Sequence, residues 1–239
     1  MISVVIPALN EEKYIGRLLD SLLCQTHRAF EVVVVDGNSG DNTREIVKSY
    51  KSKMKNLKLV VSDKKSVGSD RNAGASHASY SRILFLDADC CLQKDFLEKT
   101  LKEIEERKLE LTTCYVEPMC PFLIDKVGFA FLNFYMAVTS YFKPQTPGYC
   151  IFTTKKLHEK IGGFDPSIKV AEDWDYSQRA KKYVKFGVLN SIKVLYCMRR
   201  FEEEGRLKLY FKYLLMGFYR FFIGEIRTEK FNYKLGEHN

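Results

Sequence analysis

The sequence predicts an α/β fold of mostly parallel strands in a central sheet flanked by helices. Three observations carry that expectation. Over residues 1–95, apolar β-branched runs alternate with stretches whose apolar residues recur at helical spacing. Polar and acidic residues gather just past the ends of those runs, where open α/β sheets bind ligands. The 239 residues are 46% hydrophobic and 28% charged, enough to build a substantial core.

"ISVVIPA" (2–8) reads as a first strand, and "NEEKYIGRLLDSLLCQTH" (10–27) as a helix with Tyr14, Ile15, Leu18, Leu19, Leu22 and Leu23 on one side. "FEVVVVD" (30–36) is a buried strand, "GNSGDN" is turn chemistry, and "TREIVKSYKSK" opens a second helix. "LKLVVS" (57–62) makes a third strand, "GSDRNAGASHAS" (68–79) a helix punctuated by Asn and Gly, and "RILFLDADC" (82–90) a fourth strand. Beyond residue 95 the alternation fades. "DFLEKTLKEIEERK" (95–108) is a charged amphipathic helix, and the aromatic stretch 120–142 carries Asp125, Lys126 and Asn133, leaving too short an apolar run for the roughly 20 residues of a bilayer span. In 205–227, Lys208, Lys212 and Arg220 recur at multiples of four, so they share a helical face. Two readings of that helix stand side by side: a basic stripe lying on anionic headgroups, or packing on the domain with its cations reaching water.

The seven cysteines form an odd set without C-x-x-C spacing, which suggests neither a disulfide framework nor a zinc site and fits a reduced, cytoplasmic setting. The N-terminal apolar run is short, lacks a basic lead and is interrupted by Pro7, so it reads as a strand and not as a signal peptide. The net charge of +8 favours anionic partners. The basic residues are dispersed and form no recognised nucleic-acid motif, so nucleic acid is not expected among them. His27, His77 and His158 sit in polar helical contexts and are expected on the surface.

Asp87 and Asp89 follow the fourth strand directly, and carboxylates placed there need positive charge. Hard oxygen ligands of this kind suit Mg²⁺ or Mn²⁺ shared with a diphosphate. No G-x-G-x-x-G or G-x-x-x-x-G-K-[ST] loop follows any strand, so phosphates, if this chain binds any, would need another anchor.

"VVIPALNEE", "VVVVDGNSGDNT", "RNAGA", "LFLDAD" and "GGFDPSIKVAEDWDYSQRA" occur in the order found in family 2 glycosyltransferases with the GT-A fold, and the chain resembles that family over roughly its first three quarters. The resemblance implies inverting transfer of one sugar from a nucleoside-diphosphate sugar, with a UDP-sugar as the default donor, to a lipid-linked or glycan acceptor. It implies that Pro7, Asn10 and Glu11 line the nucleoside pocket, that Asp36 accepts a hydrogen bond from the base, and that Arg71 lies near the diphosphate. Asp87 is implied at the ribose or a metal-bound water, Asp89 as ligand to Mg²⁺ or Mn²⁺, and Asp173 as catalytic base beside Glu172, with Asp175 a rival two residues on.

It further implies a GT-A catalytic domain over 1–200, with a nucleotide-sugar-binding half (1–95) and an acceptor-binding half (96–200), followed by an amphipathic helical tail (201–239). The chain is expected in the cytoplasm, either soluble or attached peripherally through that tail to the cytoplasmic face of an anionic membrane. "SQRAKK" lacks the Q-x-x-R-W signature of the polymer-forming members, which argues against long-chain synthesis. Some such enzymes add a later histidine to the metal, but after the Asp173 block this chain has only His238, and no third protein ligand is carried over. Three variants compete: a polyprenyl-phosphate mannosyltransferase-like enzyme using GDP-mannose, a non-catalytic nucleotide-binding scaffold at a membrane, and a nucleotidyltransferase. "PALNEEKY" has no glycine, which counts against the last.

Overall fold

The computed structural model describes residues 1–63, 66–119, 122–140, 142 and 144–227, so His238 lies outside the described residues. The elements in chain order are β1 (Ile2–Ala8), α1 (Ile15–Leu23), β2 (Phe30–Asp36), α2 (Thr43–Tyr50), β3 (Leu57–Val61), α3 (Val67–His77), β4 (Arg82–Leu86) and β5 (Cys90–Cys91). They continue with α4 (Phe96–Glu106), β6 (Leu111–Pro118), α5 (Leu123–Thr139), β7 (Cys150–Thr154), α6 (Lys155–Lys160), α7 (Glu172–Ala180), β8 (Phe186–Tyr196), α8 (Arg199–Glu204) and α9 (Arg206–Phe222).

Among the described residues eight strands make one sheet, in the order β3-β2-β1-β4-β7-β6-β8-β5. The first four are mutually parallel, as the alternation of strand and helix predicts. β1 and β2 are buried along their whole length, which is why each reads as an almost unbroken apolar run. Their register pairs Ala8 with Asp36, so two strands deliver their polar continuations side by side. The small residues of "RNAGA" let α3 lie close on this sheet. A Cβ on Gly74 would come within 2.1 Å of Val5 Cγ1, so no larger residue fits there without displacing β1.

The second half of the sheet is mixed. β7 runs antiparallel to both β4 and β6, β6 runs parallel to β8, and β5 pairs antiparallel with the end of β8. Buried polar side chains hid these strands from a reading of periodicity. Thr112 and Thr113 of β6 are wholly buried, and Thr113 Oγ1 donates to the Cys150 carbonyl of β7 at 2.7 Å.

Side chains from alternate positions of β1 enter two cores on opposite faces of the sheet. One gathers Ile2, Val4 and Ile6 with Leu18, Leu22, Phe96 and Phe152; the other joins Val5, Val33, Phe85, Phe164 and Tyr176. His158 belongs to the second face, which corrects its expected surface position. It is buried, its Nδ1 lies 3.2 Å from the Tyr176 hydroxyl, and burial drives its pKa down to about 4, so the neutral ring packs among aromatics.

α9 closes the structure. Leu209 joins the main core, and Met216 meets Val170 and Ile226 across a short antiparallel bridge. The basic stripe that one of the two readings of this helix placed outward does not all face outward. Lys212 is tied to Glu204 at 2.8 Å and Arg220 to Glu225 at 2.7 Å, and both are largely covered because these acids lie on the protein side; Lys208 is the exposed one of the three. Among the described residues no helix is long and apolar enough to cross a membrane.

Candidate active site

The polar residues after β1 and β2 form the first wall of the site. Asn10 adopts the left-handed region (φ 55°), and its Oδ1 accepts from the Gly40 N–H at 2.9 Å while its own N–H donates to Ser39 Oγ at 2.9 Å. These bonds stitch the chain after Pro7 to the turn after β2. Asp36 is fully buried. Its Oδ2 accepts from the Ser39 N–H and from Arg44 Nε, each at 3.1 Å, while its Oδ1 has no partner among the described residues. A buried carboxylate oxygen left without a donor is costly unless something donates to it, and a base N–H suits it.

Asp70, which the sequence reading did not single out, lies beside this pocket. Its Oδ2 would be 3.0 Å from a Cβ on Gly37, and its Oδ1 is also without a partner among the described residues. Burial and the nearby Asp36 charge push its pKa up to about 6 despite a bond from the Ser62 side chain.

Two buried arginines organise the acids. Arg71 of α3 donates to Glu172 Oε1 at 2.5 Å, to Asp87 Oδ1 at 2.9 Å and to the Gly148 carbonyl at 3.3 Å, with its guanidinium carbon 5.3 Å from the Phe164 ring centroid. Arg199, at the start of α8, forks onto Glu11 at 2.8 and 2.9 Å, stands 3.4 Å from Asp89 Oδ2 and covers the Tyr14 ring at 4.6 Å. Asp87 and Asp89, one residue apart at the end of β4, are thus served by different guanidiniums. Arg199 was missed by sequence reasoning, because its main partner lies 188 residues away and no local pattern marks it.

Glycine is required where Arg71 passes the start of α7. A Cβ on Gly148 would lie 2.6 Å from Arg71 Nη2 and 3.2 Å from Asp173 Oδ2. Ala171, the residue before α7, is held at φ 61°, a left-handed conformation at the turn that leads into the acids Glu172 and Asp173. Glu172 goes to Arg71. Asp173 Oδ1 accepts from the Trp174 N–H at 2.8 Å. Burial and the Glu172 charge raise the Asp173 pKa to about 7, against the lowering pull of Arg71 and Arg220.

The rival base is occupied. Asp175 Oδ2 is forked by Arg179 at 2.8 and 2.7 Å. Arg220 of α9 lies 4.8 Å over the Trp174 ring, so the tail helix reaches the residue next to Asp173.

Glu11 is also raised, to about 7, and Asp89 to about 6, in each case first by burial. Five acids, Glu11, Asp87, Asp89, Glu172 and Asp173, thus gather around Arg71 and Arg199, with Arg200 acting on Asp89 and Arg220 on Asp173. Among the described residues no three His, Cys, Asp or Glu side chains close around one point, so there is no all-protein metal cage. One or two carboxylates that leave the remaining positions to phosphate oxygens and water are nonetheless the donor set that Mg²⁺ or Mn²⁺ accepts, and Asp89 with Asp87 fits it.

Residues 3–162 match the family model "Glycosyl transferase family 2". Over 108 residues, 44% of this chain and 19% of the relative, the sequence is 40% identical to the poly(ribitol-phosphate) beta-N-acetylglucosaminyltransferase TarS of Staphylococcus aureus. The chain spans less than half the length of the curated relatives it matches. The fold is similar to that of S. aureus TarS 1–349 solved with UDP-GlcNAc, with a TM-score of 0.70 at 22% identity over 92% of this chain and 73% of that one. It is similar too to the mannosyltransferase PcManGT of Pyrobaculum calidifontis solved with GDP-Man and Mn²⁺, with a TM-score of 0.70 at 22% identity over 81% of this chain and 56% of that one.

Proposed function

Because this chain belongs to glycosyl transferase family 2, we propose that it moves one sugar from a nucleoside-diphosphate sugar to a lipid-linked or glycan acceptor with inversion at the anomeric carbon. The observation that carries the reading is the pair formed by Asp173, a partly buried carboxyl raised to about 7, and Asp175, locked by Arg179. One acid is poised to take a proton near neutrality and the other is spoken for.

In this reading Asp36 Oδ1 receives the base N–H, and Pro7, Asn10 and Glu11 shape the wall beside it. Asp89, with Asp87 near, would hold Mg²⁺ or Mn²⁺, which would supply positive charge to offset that of the leaving diphosphate. Arg71 fixes Glu172 and Asp87 together, so the donor side and the acceptor side keep their spacing. Asp173 takes the acceptor hydroxyl proton as its oxygen attacks the face opposite the diphosphate; the C–O bond to the diphosphate breaks and its electron pair leaves with the phosphate. A UDP-sugar is the favoured donor, and the solved likeness with UDP-GlcNAc supports it; GDP-mannose is the second candidate, on the likeness with GDP-Man. Residues 1–95 serve the donor, 96–200 the acceptor, and the tail from 201 carries contact with an anionic membrane at the cytoplasmic face.

The test is a donor screen. Release of nucleoside diphosphate is measured from UDP-, GDP- and dTDP-sugars, with and without Mg²⁺ or Mn²⁺. Metal-stimulated release from a UDP-sugar is expected. No release from any donor, with nucleotide still bound, sinks the catalytic reading in favour of a binding scaffold.

A further inference from the structure

A helix packed on a water-soluble domain turns its apolar side to the core and its polar side to water. α5 and α9 bury Phe129, Met136, Leu209 and Met216, yet they also carry a second apolar face turned to water and hold charged or polar groups on the covered side. On α5 Asp125 is wholly buried, and Asn133 clasps the Val116 backbone at 3.0 and 2.8 Å. Leu123, Val127, Phe131, Phe134 and Val138 face outward, with Phe131 70% exposed. On α9 the covered positions include Lys212 and Arg220 in their ion pairs. The outward ones are Leu207, Phe211, Leu214, Leu215, Phe218 and Phe222, whose spacings of four, three, one, three and four residues define a single face.

The two faces adjoin. Arg206 of α9 donates to Asp125 of α5 at 2.8 Å, and the Tyr210 ring fills the notch left by Gly128. With aromatic side chains of about 200 Å² each more than half exposed, the joint patch reaches the order of 1,000 Å², above what a monomer's surface ordinarily carries.

We propose that this patch docks on a lipid bilayer bearing anionic headgroups, inserted through apolar side chains and not held by the basic stripe of α9. The choice of a bilayer rests on the lipid-linked acceptor proposed above and on charge. Lys126 and Lys208 are exposed beside the patch without a partner among the described residues, whereas Asp125, Glu204 and Glu225 are consumed in ion pairs. A second copy meeting this face about a two-fold axis brings those lysines together in chains that each carry +8, whereas a plane of anionic headgroups neutralises them. The surface also ends at the candidate base. The far end of α9 sets Arg220 over Trp174, and past the far end of α5 the Pro144 carbonyl accepts from Ser177 of α7 at 3.1 Å. A head group projecting from the bilayer there meets Asp173 without its lipid leaving the membrane.

The experiment is co-flotation of the full chain with phosphatidylcholine vesicles made with and without phosphatidylglycerol. The parent is expected to float with the anionic vesicles. F131Q/F211Q/F218Q should lose at least about tenfold in binding, since each apolar side chain moved into lipid carries roughly that factor. K126Q/K208Q should lose about fivefold per lysine at low salt and little at high salt. Donor turnover without vesicles should be unchanged in both, because the substituted residues lie outside the nucleotide site.

A parent that stays off anionic vesicles, or a triple variant that floats as well as the parent, overturns the proposal. So does a stable dimer that the triple substitution dissociates while vesicle binding is absent. Flotation without any donor turnover removes the transferase reading and leaves the docking surface standing.

Discussion

Replacing Asp173 by Asn should cost activity and add stability, and the two effects share one cause. Burial and the neighbouring Glu172 raise the Asp173 carboxyl from the ordinary 3.8 to about 7. At about 1.4 kcal/mol per pKa unit, this rise sets an upper figure of ~4 kcal/mol on what the ionised group costs the fold at alkaline pH. Partial exposure to solvent screens the interaction, so a gain of about 1–2 kcal/mol is expected for Asp173→Asn above neutrality. The sign follows from where the proton sits. A folded pKa above the unfolded one makes the parent's stability contribution complete below pH 3.8 and lost as pH rises through about 7. The advantage of the Asn variant therefore opens across that window.

Activity runs the other way, because the base works only when deprotonated. Turnover of the parent should fall as pH drops below about 7, and the Asn variant should lose about 10²–10⁴-fold in transfer while keeping its donor affinity. Urea midpoints at acid and alkaline pH, with single-turnover transfer at saturating donor, measure both. Asp175→Asn is the control: it loses an i,i+4 pair with Arg179, costs under about 1 kcal/mol and leaves transfer near normal. An Asp175→Asn variant without activity beside a normal Asp173→Asn enzyme would refute the assignment, as would an Asn variant no more stable than its parent above neutrality.

Asp89→Asn should abolish the stimulation of nucleotide binding by Mn²⁺ seen by calorimetry while leaving the melting temperature intact or raised; unaltered metal dependence removes Asp89 from the metal site. Asp36→Asn should weaken binding of the preferred nucleoside diphosphate about tenfold or more and narrow its lead over other bases, and titration with an unchanged base preference counts against the role given to Oδ1. Arg199→Gln removes the guanidinium that Glu11 and Asp89 share and should destabilise by about 3 kcal/mol, part of which the double substitution with Glu11→Gln restores; a loss under about 0.5 kcal/mol in denaturant contradicts the pairing.

The parallel half of the sheet was legible because each of its strands is a mostly apolar run with a polar residue at its end or within two residues after it, and the strands follow one another through short helices. The antiparallel strands were not, since β6 buries threonines and β5 is two residues long. At the site, Asp36, Asp87, Asp89 and Asp173 could be picked out because each stands in a local motif. Arg199 could not, for its meaning depends wholly on Glu11 and Asp89, which only the fold brings to it. The tail shows the limit of counting charges by helical period. Lys208, Lys212 and Arg220 do share a spacing, yet the acids that capture two of them decide which way the helix turns. His158 was misjudged for a related reason, because its polar neighbours in sequence say nothing of Phe85 and Tyr176 beside it in space.

The Glu11–Arg199 pair spans 188 residues, so this contact can form only long after β1 has been made. During synthesis β1 to β4 emerge and can pair long before β8 exists, because their contacts are short in sequence and cheap in loop entropy. At that stage Glu11 and Asp89 have no guanidinium beside them, and the edge of β4 awaits β7. The order of assembly thus separates the scaffold from the site: a nascent chain can hold a largely built parallel sheet and still lack a finished pocket. On the proposed reading, nucleotide capture would then be a sign that translation has passed α8 and that Arg199 has met Glu11.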